Sequence, residues 1–385
     1  MDAADAPRGR ARPKPLDVGL YAEVPLLALA FVVWNTVRQG WTHGWLGDFR
    51  IFRSAAHALV HGHSPYVQPT VHHLAGDQRF VYPAPVGLLF APFNLLGPTA
   101  SSLVYLFLSA VAVVVAVRLL GVTDWRIAGL ALIGGGVYDS FVNGAIGPFL
   151  LLLLAAAWHY RERKVSGVLL ALAAAAKLFL WPVLLWPIIA RRPRVVLVAA
   201  ATLAAIVGLW ALLDLRGLTE YATTLRVLDH LEAPQSYSPA AFALAVGAPS
   251  WLAHLVPAVL AVGGVVWLFR QRDDRKLLSG AVILALIVTP ILWLHYLALL
   301  VIPLALAWPR LSPAWALPVA LWATSTPEAS GAVWKIVFAL TVIALTAVAA
   351  NRALTNTKDS EPVPPSEFTE RGTSDTAVPL AVVRQ

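Results

Sequence analysis

Cysteine is absent from the 385 residues, and methionine occurs once. Disulfides, thiolate metal sites and cysteine nucleophiles are therefore excluded, and the redox compartment leaves no mark. Charge is scarce too: 13% of residues are Asp, Glu, Lys or Arg, well below the quarter usual in soluble domains. No Walker A, G-x-S-x-G or dinucleotide-binding glycine pattern occurs, so nucleotide-driven transport and serine hydrolysis lose support. Metal frameworks are missing as well. His57 and His61 stand at i,i+4, a spacing that can bind zinc, but no H-E-x-x-H pattern surrounds them. His61, His63, His72 and His73 read as solvated loop residues, and Asp48 has no acidic neighbour to make a D-x-D cation site. The expectation is no metal and no cofactor.

What is abundant is apolar surface. Hydrophobic residues make up 58% of the chain, with 15 Trp, which predicts an all-α polytopic membrane protein. A span needs about 20 apolar residues, and that ruler gives about 12 transmembrane helices. They fall near 18–36, 99–120, 126–140, 146–160, 165–177, 178–190, 194–214, 249–269, 277–290, 291–308, 312–325 and 332–350. Several are short enough to be tilted, broken or re-entrant. The first run lacks a small-residue cleavage site and is expected to be retained.

The net charge of +8 does not point to nucleic acid, because the basic residues lie in short clusters between apolar runs. With both termini cytoplasmic, most Lys and Arg fall inside, including Arg8 to Lys14, Arg161 to Lys164, Arg191 to Arg194 and Arg270 to Lys276. Keeping "RERK" and "RRPR" on one side requires two short arms at 165–190 that meet near Lys177. Residues 1–17 read as a basic cytoplasmic tail, 18–350 as the membrane-embedded domain, and 351–385 as a disordered cytoplasmic tail rich in Pro, Ser and acid. Two long polar connections, about 37–98 and 215–248, fall outside. The first contains an amphipathic helix over 49–61 with Phe49, Phe52, Ala56 and Leu59 on one face, then the Pro-broken "FVYPAPVGLLFAPFNLLGP". No internal repeat marks a transporter.

Ionisable groups close to spans are costly to keep, which makes them functional candidates. Asp48 has two readings that can coexist: an N-cap of the following helix, and a general base at the outer surface. Lys177, at the tip of the short hairpin, is either a snorkelling lysine or a partner for a lipid-linked phosphate. Arg50 and Arg53 are interfacial anchors or phosphate clamps. His295, in "PILWLHYLALLVIP", is a structural hydrogen-bonder or a site residue. Phe80, Tyr82, Pro83 and Pro85 make an aromatic and stiff-turn string, and "PQSYSP" a turn-rich loop.

Together these stretches resemble glycosyltransferase family 87, membrane enzymes of the GT-C class that use polyprenyl-phosphate sugars. "GDFRIFRSAAHALVHGHSPY" followed by "FVYPAPVGLLFAPFNLLG" resembles the family's first external loop. "SGVLLALAAAAKLFLWPVLLWPI" resembles its lysine hairpin, "APQSYSP" its Gln-Ser loop and "PILWLHYLALLVIPL" its Trp-x-x-His helix. The resemblance covers about residues 20 to 350. It implies a GT-C-like bundle in 18–350 and a plasma-membrane, multi-pass enzyme with its active site on the outer face. The implied reaction is inverting transfer of a hexosyl group, mannosyl first, with arabinosyl transfer as a competitor. The donor would be a polyprenyl-phosphate sugar, the acceptor a glycolipid or cell-envelope glycan, and membrane lipid the surroundings. Asp48 becomes the catalytic base and His295 a second catalytic residue. Lys177, Arg50 and Arg53 become donor-phosphate contacts, and Tyr82, Gln235 and Ser236 a substrate loop. One departure is visible. The family tends to carry Gly-Gln-x-Asn before the fourth span, where this chain has "NGAIGPF", keeping Asn143 and Gly144 but not the glutamine. A transporter or flippase of lipid-linked sugar is the rival from another class; it calls for repeats and midplane charges, whereas the polar residues here gather after the first span.

Overall fold

A computed structural model describes residues 46–76, 79–324 and 330–359, with a few positions between 26 and 34. Every regular element among the described residues is helical, as the hydrophobic composition and absence of strand-like alternation require. The predicted first span lies largely outside the described residues.

Four described helices are long and apolar enough to cross a membrane: Pro98–Leu119, Pro193–Leu213, Ser250–Phe269 and Val333–Asn356. This makes the chain a helical membrane protein. The other predicted spans form shorter or interrupted helices, so the count of about 12 is not reached by full-length spans. Each interruption has a local cause. The 126–140 run is divided at Gly134 into Trp125–Ile133 and Gly135–Asn143. The 178–190 run begins as a 3-10 stretch, Leu178–Leu184, that accommodates Pro182, and continues as Leu185–Ile189. The 291–308 run is a 3-10 stretch, Leu294–Leu300, that passes into the α-helix Val301–Ala307. Proline has no amide proton to donate, and its ring crowds the preceding turn, so the break at Pro182 is inexpensive relative to a continuous helix.

Two expectations change in extent. The polar connection at 215–248 is mostly helix, Leu215–Glu232 followed by Pro239–Ala245. Asp214 starts the first of these by accepting a 2.7 Å hydrogen bond from the Gly217 amide. The last helix continues to Asp359, eight residues past the boundary drawn at 351.

The amphipathic helix forms at Gly47–Val60, burying Phe49, Phe52, Ala55, Ala56 and Leu59. Its apolar stripe packs on the Pro-broken segment. The Phe52 ring stacks on Phe90 at 4.3 Å between centroids, and Phe49 stacks on Tyr105 of Pro98–Leu119 at 4.3 Å. Pairs of this kind are worth about 0.5–1.5 kcal/mol each beyond the area they bury. The "HSPY" end of the first connection is tied to the second. Ser64 donates to Asp214, the Tyr66 hydroxyl donates to the Tyr82 carbonyl at 2.7 Å, and Tyr221 donates to the Val81 carbonyl at 2.9 Å. Gly217 is needed there, because a Cβ would stand 2.3 Å from the Tyr66 ring. The two long connections thus form one cap on the helical bundle.

Candidate active site

The cap and the bundle enclose a cavity of about 1020 Å³, at the large end for a small-molecule site. Six separated parts of the chain bring polar groups to it: Asp48, Lys177, His295, Arg79 paired with Glu232, and Asp139.

Asp48 is in the first turn of its helix, but it is not the cap. The capping position is Leu46, left-handed at φ 53 and ψ 57, and no side chain caps the helix. Left-handed backbone costs a non-glycine residue about 1–2 kcal/mol. Leu46 is fully buried, so packing holds it there. Among the described residues the Asp48 carboxylate makes no hydrogen bond or ion pair, and it lines the cavity with Ile51 one turn on. The same periodicity removes the arginines. At about 100° per residue, Arg50 points about 160° and Arg53 about 140° away from Asp48. Arg50 is exposed, and Arg53 reaches the Leu96 carbonyl at 3.4 Å. Neither lines the cavity that holds Asp48 and Lys177.

The turn at Asn143–Gly144 props up this helix start. Gly144 has φ +68, and a Cβ there would lie 2.8 Å from the Phe49 Cβ and 3.1 Å from its amide nitrogen. The Tyr105 hydroxyl lies 3.0 Å from the carbonyl oxygens of both Gly144 and Ala145. Gly144→Ala combines the backbone penalty with this clash and should lower stability by about 1–3 kcal/mol. It should also reduce turnover by displacing Asp48. Thermal unfolding in detergent checks the first effect, and an unchanged midpoint would show that the turn yields freely.

Lys177 sits where helix Val165–Ala176 ends, in extended backbone at φ −144 and ψ 104. Its ammonium donates to the Tyr296 hydroxyl at 2.8 Å and lies 4.5 Å from the ring centres of both Tyr296 and Tyr82. The charges of Asp48 and Glu232 reach it. A lysine fixed by one hydroxyl and two ring faces is not reaching outward to an interface, so the snorkelling reading fails. Burial first, and then the Asp48 charge, holds the Tyr82 phenol protonated far above its ordinary range. Tyr82 therefore remains a hydrogen-bond donor beside the lysine.

His295 lies in the 3-10 stretch, its side chain 11% exposed, with Nδ1 3.4 Å from the Asp139 carboxylate. Its Nε2 is buried without a hydrogen-bond partner among the described residues. Glu232 pairs with Arg79 across the cavity wall. Lys335, from the last helix, also lines the cavity and is 2% exposed.

The Gln-Ser pair acts differently from expectation. Gln235 is exposed, and its main-chain oxygen accepts from Ser330 at 2.7 Å. Ser236 is buried and donates to the Ser238 hydroxyl at 3.0 Å, while Ser238 donates to the Pro290 carbonyl at 2.7 Å. Neither Gln235 nor Ser236 lines the cavity; their neighbour Tyr237 does, and its amide donates to the Leu292 carbonyl at 2.8 Å. The loop ties down the extended backbone that leads to Trp293 and His295.

The histidines of the first connection lie elsewhere. His57, His61, His63, His72 and His73 are exposed, with His57 and His61 stacked on one another. Among the described residues no three His, Cys, Asp or Glu side chains gather closely enough to hold a metal ion.

Sequence reading missed Asp139, Arg79 and Glu232 as site residues. Asp139 follows a glycine run inside an apolar helix, and an acid in that setting was the available signal. Arg79 and Glu232 are 153 residues apart, and no local pattern links them.

No curated protein and no solved structure matches the chain. Residues 80–291, more than half of it, match Glycosyltransferase family 87. That range contains Tyr82, Asp139, Lys177 and Glu232; Asp48 and His295 flank it and are brought to the same cavity by the fold. The chain belongs to glycosyltransferase family 87, and is a helical membrane glycosyltransferase.

Proposed function

We propose that this glycosyltransferase inverts configuration, taking a hexosyl group, mannosyl first, from a polyprenyl-phosphate sugar. The acceptor is a lipid-linked or cell-envelope glycan on the outer face of the plasma membrane, with both termini cytoplasmic. One observation carries the reading: the Asp48 carboxylate, with no partner among the described residues, shares a cavity with the rigidly held Lys177 ammonium.

The chemistry needs those two groups. The acceptor oxygen attacks the anomeric carbon and forms the new glycosidic bond, while the bond from that carbon to the phosphate oxygen breaks. The electron pair leaves with the phosphate, and Asp48 takes the hydroxyl proton. A positioned base of this kind contributes about 10²- to 10⁴-fold. Negative charge grows on the departing phosphate, where Lys177 and the protonated Tyr82 phenol can meet it. Backside attack by the acceptor gives inversion. Tyr82 and Trp293 give the cavity aromatic walls on which sugar faces can stack. His295, which lines the same cavity, supplies a second group to the substrate.

The basic clusters at 161–164 and 191–194 support the proposed orientation, since they place the short arms' ends on the cytoplasmic side and Lys177 toward the other. The test is direct. Membranes containing the full chain are supplied with labelled polyprenyl-phosphate mannose, and labelled product is extracted and its anomeric configuration determined. An α-linked product from a β-linked donor is the expected result. Retention of configuration refutes single displacement, and transfer solely from polyprenyl-phosphate arabinose refutes the hexosyl assignment.

A further inference from the structure

We infer that Asp139 is a positioning residue for glycosyl transfer, fixing the tautomer and orientation of the His295 ring at the cavity. The role rests on the functional reading above, and it begins in an unusual packing of two backbones. Helix Gly135–Asn143 lies directly against the 3-10 stretch that carries His295. A Cβ on Gly136 would stand 2.5 Å from the Ala298 nitrogen and 2.6 Å from the Leu297 carbonyl carbon. On the next helix, a Cβ on Gly147 would stand 2.6 Å from the Ser140 hydroxyl and 3.0 Å from the His295 carbonyl oxygen. Ser140 donates to the Gly136 carbonyl at 2.9 Å and lies 3.4 Å from the His295 oxygen. Glycines therefore let the two elements approach until Asp139 and His295 meet.

The contact is specific in chemistry. A carboxylate only accepts hydrogen bonds, so the ring nitrogen facing it, Nδ1 at 3.4 Å, is the one that carries a proton. Nε2 is then the unprotonated nitrogen, able only to accept. It is buried, lacks a hydrogen-bond partner among the described residues, and belongs to a residue lining the cavity. A buried polar atom without a partner carries a desolvation cost that a ligand atom removes. The role of Asp139 is thus to select which ring nitrogen carries the proton and to stop the ring from turning.

Asparagine at 139 keeps the shape but can present its amide N–H to Nδ1, which reverses the tautomer. The full chain is purified as wild type, Asp139→Asn, Asp139→Glu, His295→Gln and the Asp139→Asn/His295→Gln pair. Each is assayed with labelled polyprenyl-phosphate mannose in membranes containing acceptor, and its thermal unfolding is recorded. Asp139→Asn is expected to lower kcat about 10- to 100-fold, as loss of an orienting partner does elsewhere, with donor KM and unfolding temperature little changed. In the His295→Gln background the same change should cost about twofold or less. Asp139→Glu, which keeps an acceptor at the position, should recover part of the loss. Independent, multiplying losses in the pair would overturn the inference, as would full kcat in Asp139→Asn. If Asp139→Asn does not fold, the cycle with Asp139→Glu decides by the same criterion of coupling to His295. A wild-type chain that transfers no sugar overturns the functional reading and this role with it; an active wild type with an indifferent Asp139→Asn overturns the role alone.

Discussion

Asp48→Asn is expected to reduce sugar transfer by about 10²- to 10⁴-fold, the range associated with losing a positioned general base. The substitution keeps the size and shape of the side chain and removes its ability to take a proton. Folding should be unaffected, because the carboxylate does not cap its helix: Leu46 occupies that position and the helix has no side-chain cap. Loss of negative charge should not weaken donor binding either, since a carboxylate near Lys177 opposes an incoming phosphate. The expected signature is a collapse of kcat with donor affinity unchanged or slightly improved. Measuring both in membranes with matched expression separates the possibilities. Wild-type turnover in Asp48→Asn would remove this residue from the mechanism and leave the cavity's remaining carboxylates, Glu232 and Asp139, to be tested in its place.

Lys177→Ala is the second large effect, and it should fall mainly on the donor. A hydrogen bond involving a charged group contributes about 1.5–3 kcal/mol, which corresponds to a loss of about 10- to 100-fold in donor affinity. The ammonium is already held by the Tyr296 hydroxyl and two aromatic faces, so a phosphate meets it without much further ordering. Removing it also strips the Tyr82 and Tyr296 rings of their cation, which adds a stability cost of about 0.5–2 kcal/mol. Lys177→Arg separates the two contributions. It restores charge, but a planar fork does not fit a pocket shaped around a compact ammonium, so rescue should be incomplete. Equilibrium binding of a non-transferable polyprenyl phosphate, free of any acceptor, isolates the donor effect. Unchanged binding in Lys177→Ala would assign the lysine to packing alone.

The Asp48, Lys177 and His295 side chains were each legible because each breaks a local rule. An acid opening an amphipathic helix, a lysine between two apolar arms and a histidine in an apolar run all carry a desolvation cost that the sequence displays. Phe49, Phe52, Ala56 and Leu59 were legible for a different reason, since helical periodicity sorts them onto one face. The arginines show the limit of proximity along the chain. Arg50 and Arg53 are within five residues of Asp48, yet a turn of about 100° per residue carries both away from the cavity. Ser236 was identified as a loop residue of interest but serves backbone geometry, with Tyr237 beside it reaching the site.

Span counting was limited by the same kind of locality. Hydropathy reports how much apolar surface a segment has, and that quantity was read correctly for Pro98–Leu119, Pro193–Leu213 and Ser250–Phe269. It does not report whether the backbone runs unbroken, which Gly134, Pro182 and the 3-10 stretch at Leu294–Leu300 decide.

The sequence by itself determined that this chain is an all-helical membrane protein with an acid opening an amphipathic helix, a lysine at a helix break and a family resemblance fixed by motif order. Those properties follow from composition, periodicity and short-range pattern, which act over a few turns of helix. The tertiary structure alone decided that Asp139 meets His295, that Arg79 meets Glu232, and that Asp48 is left without a described partner in the same cavity as Lys177. Such contacts depend on how closely two backbones approach, as Gly136 permits against Leu297 and Ala298. Close packing is a property of pairs of elements far apart in the chain, and no single segment carries it.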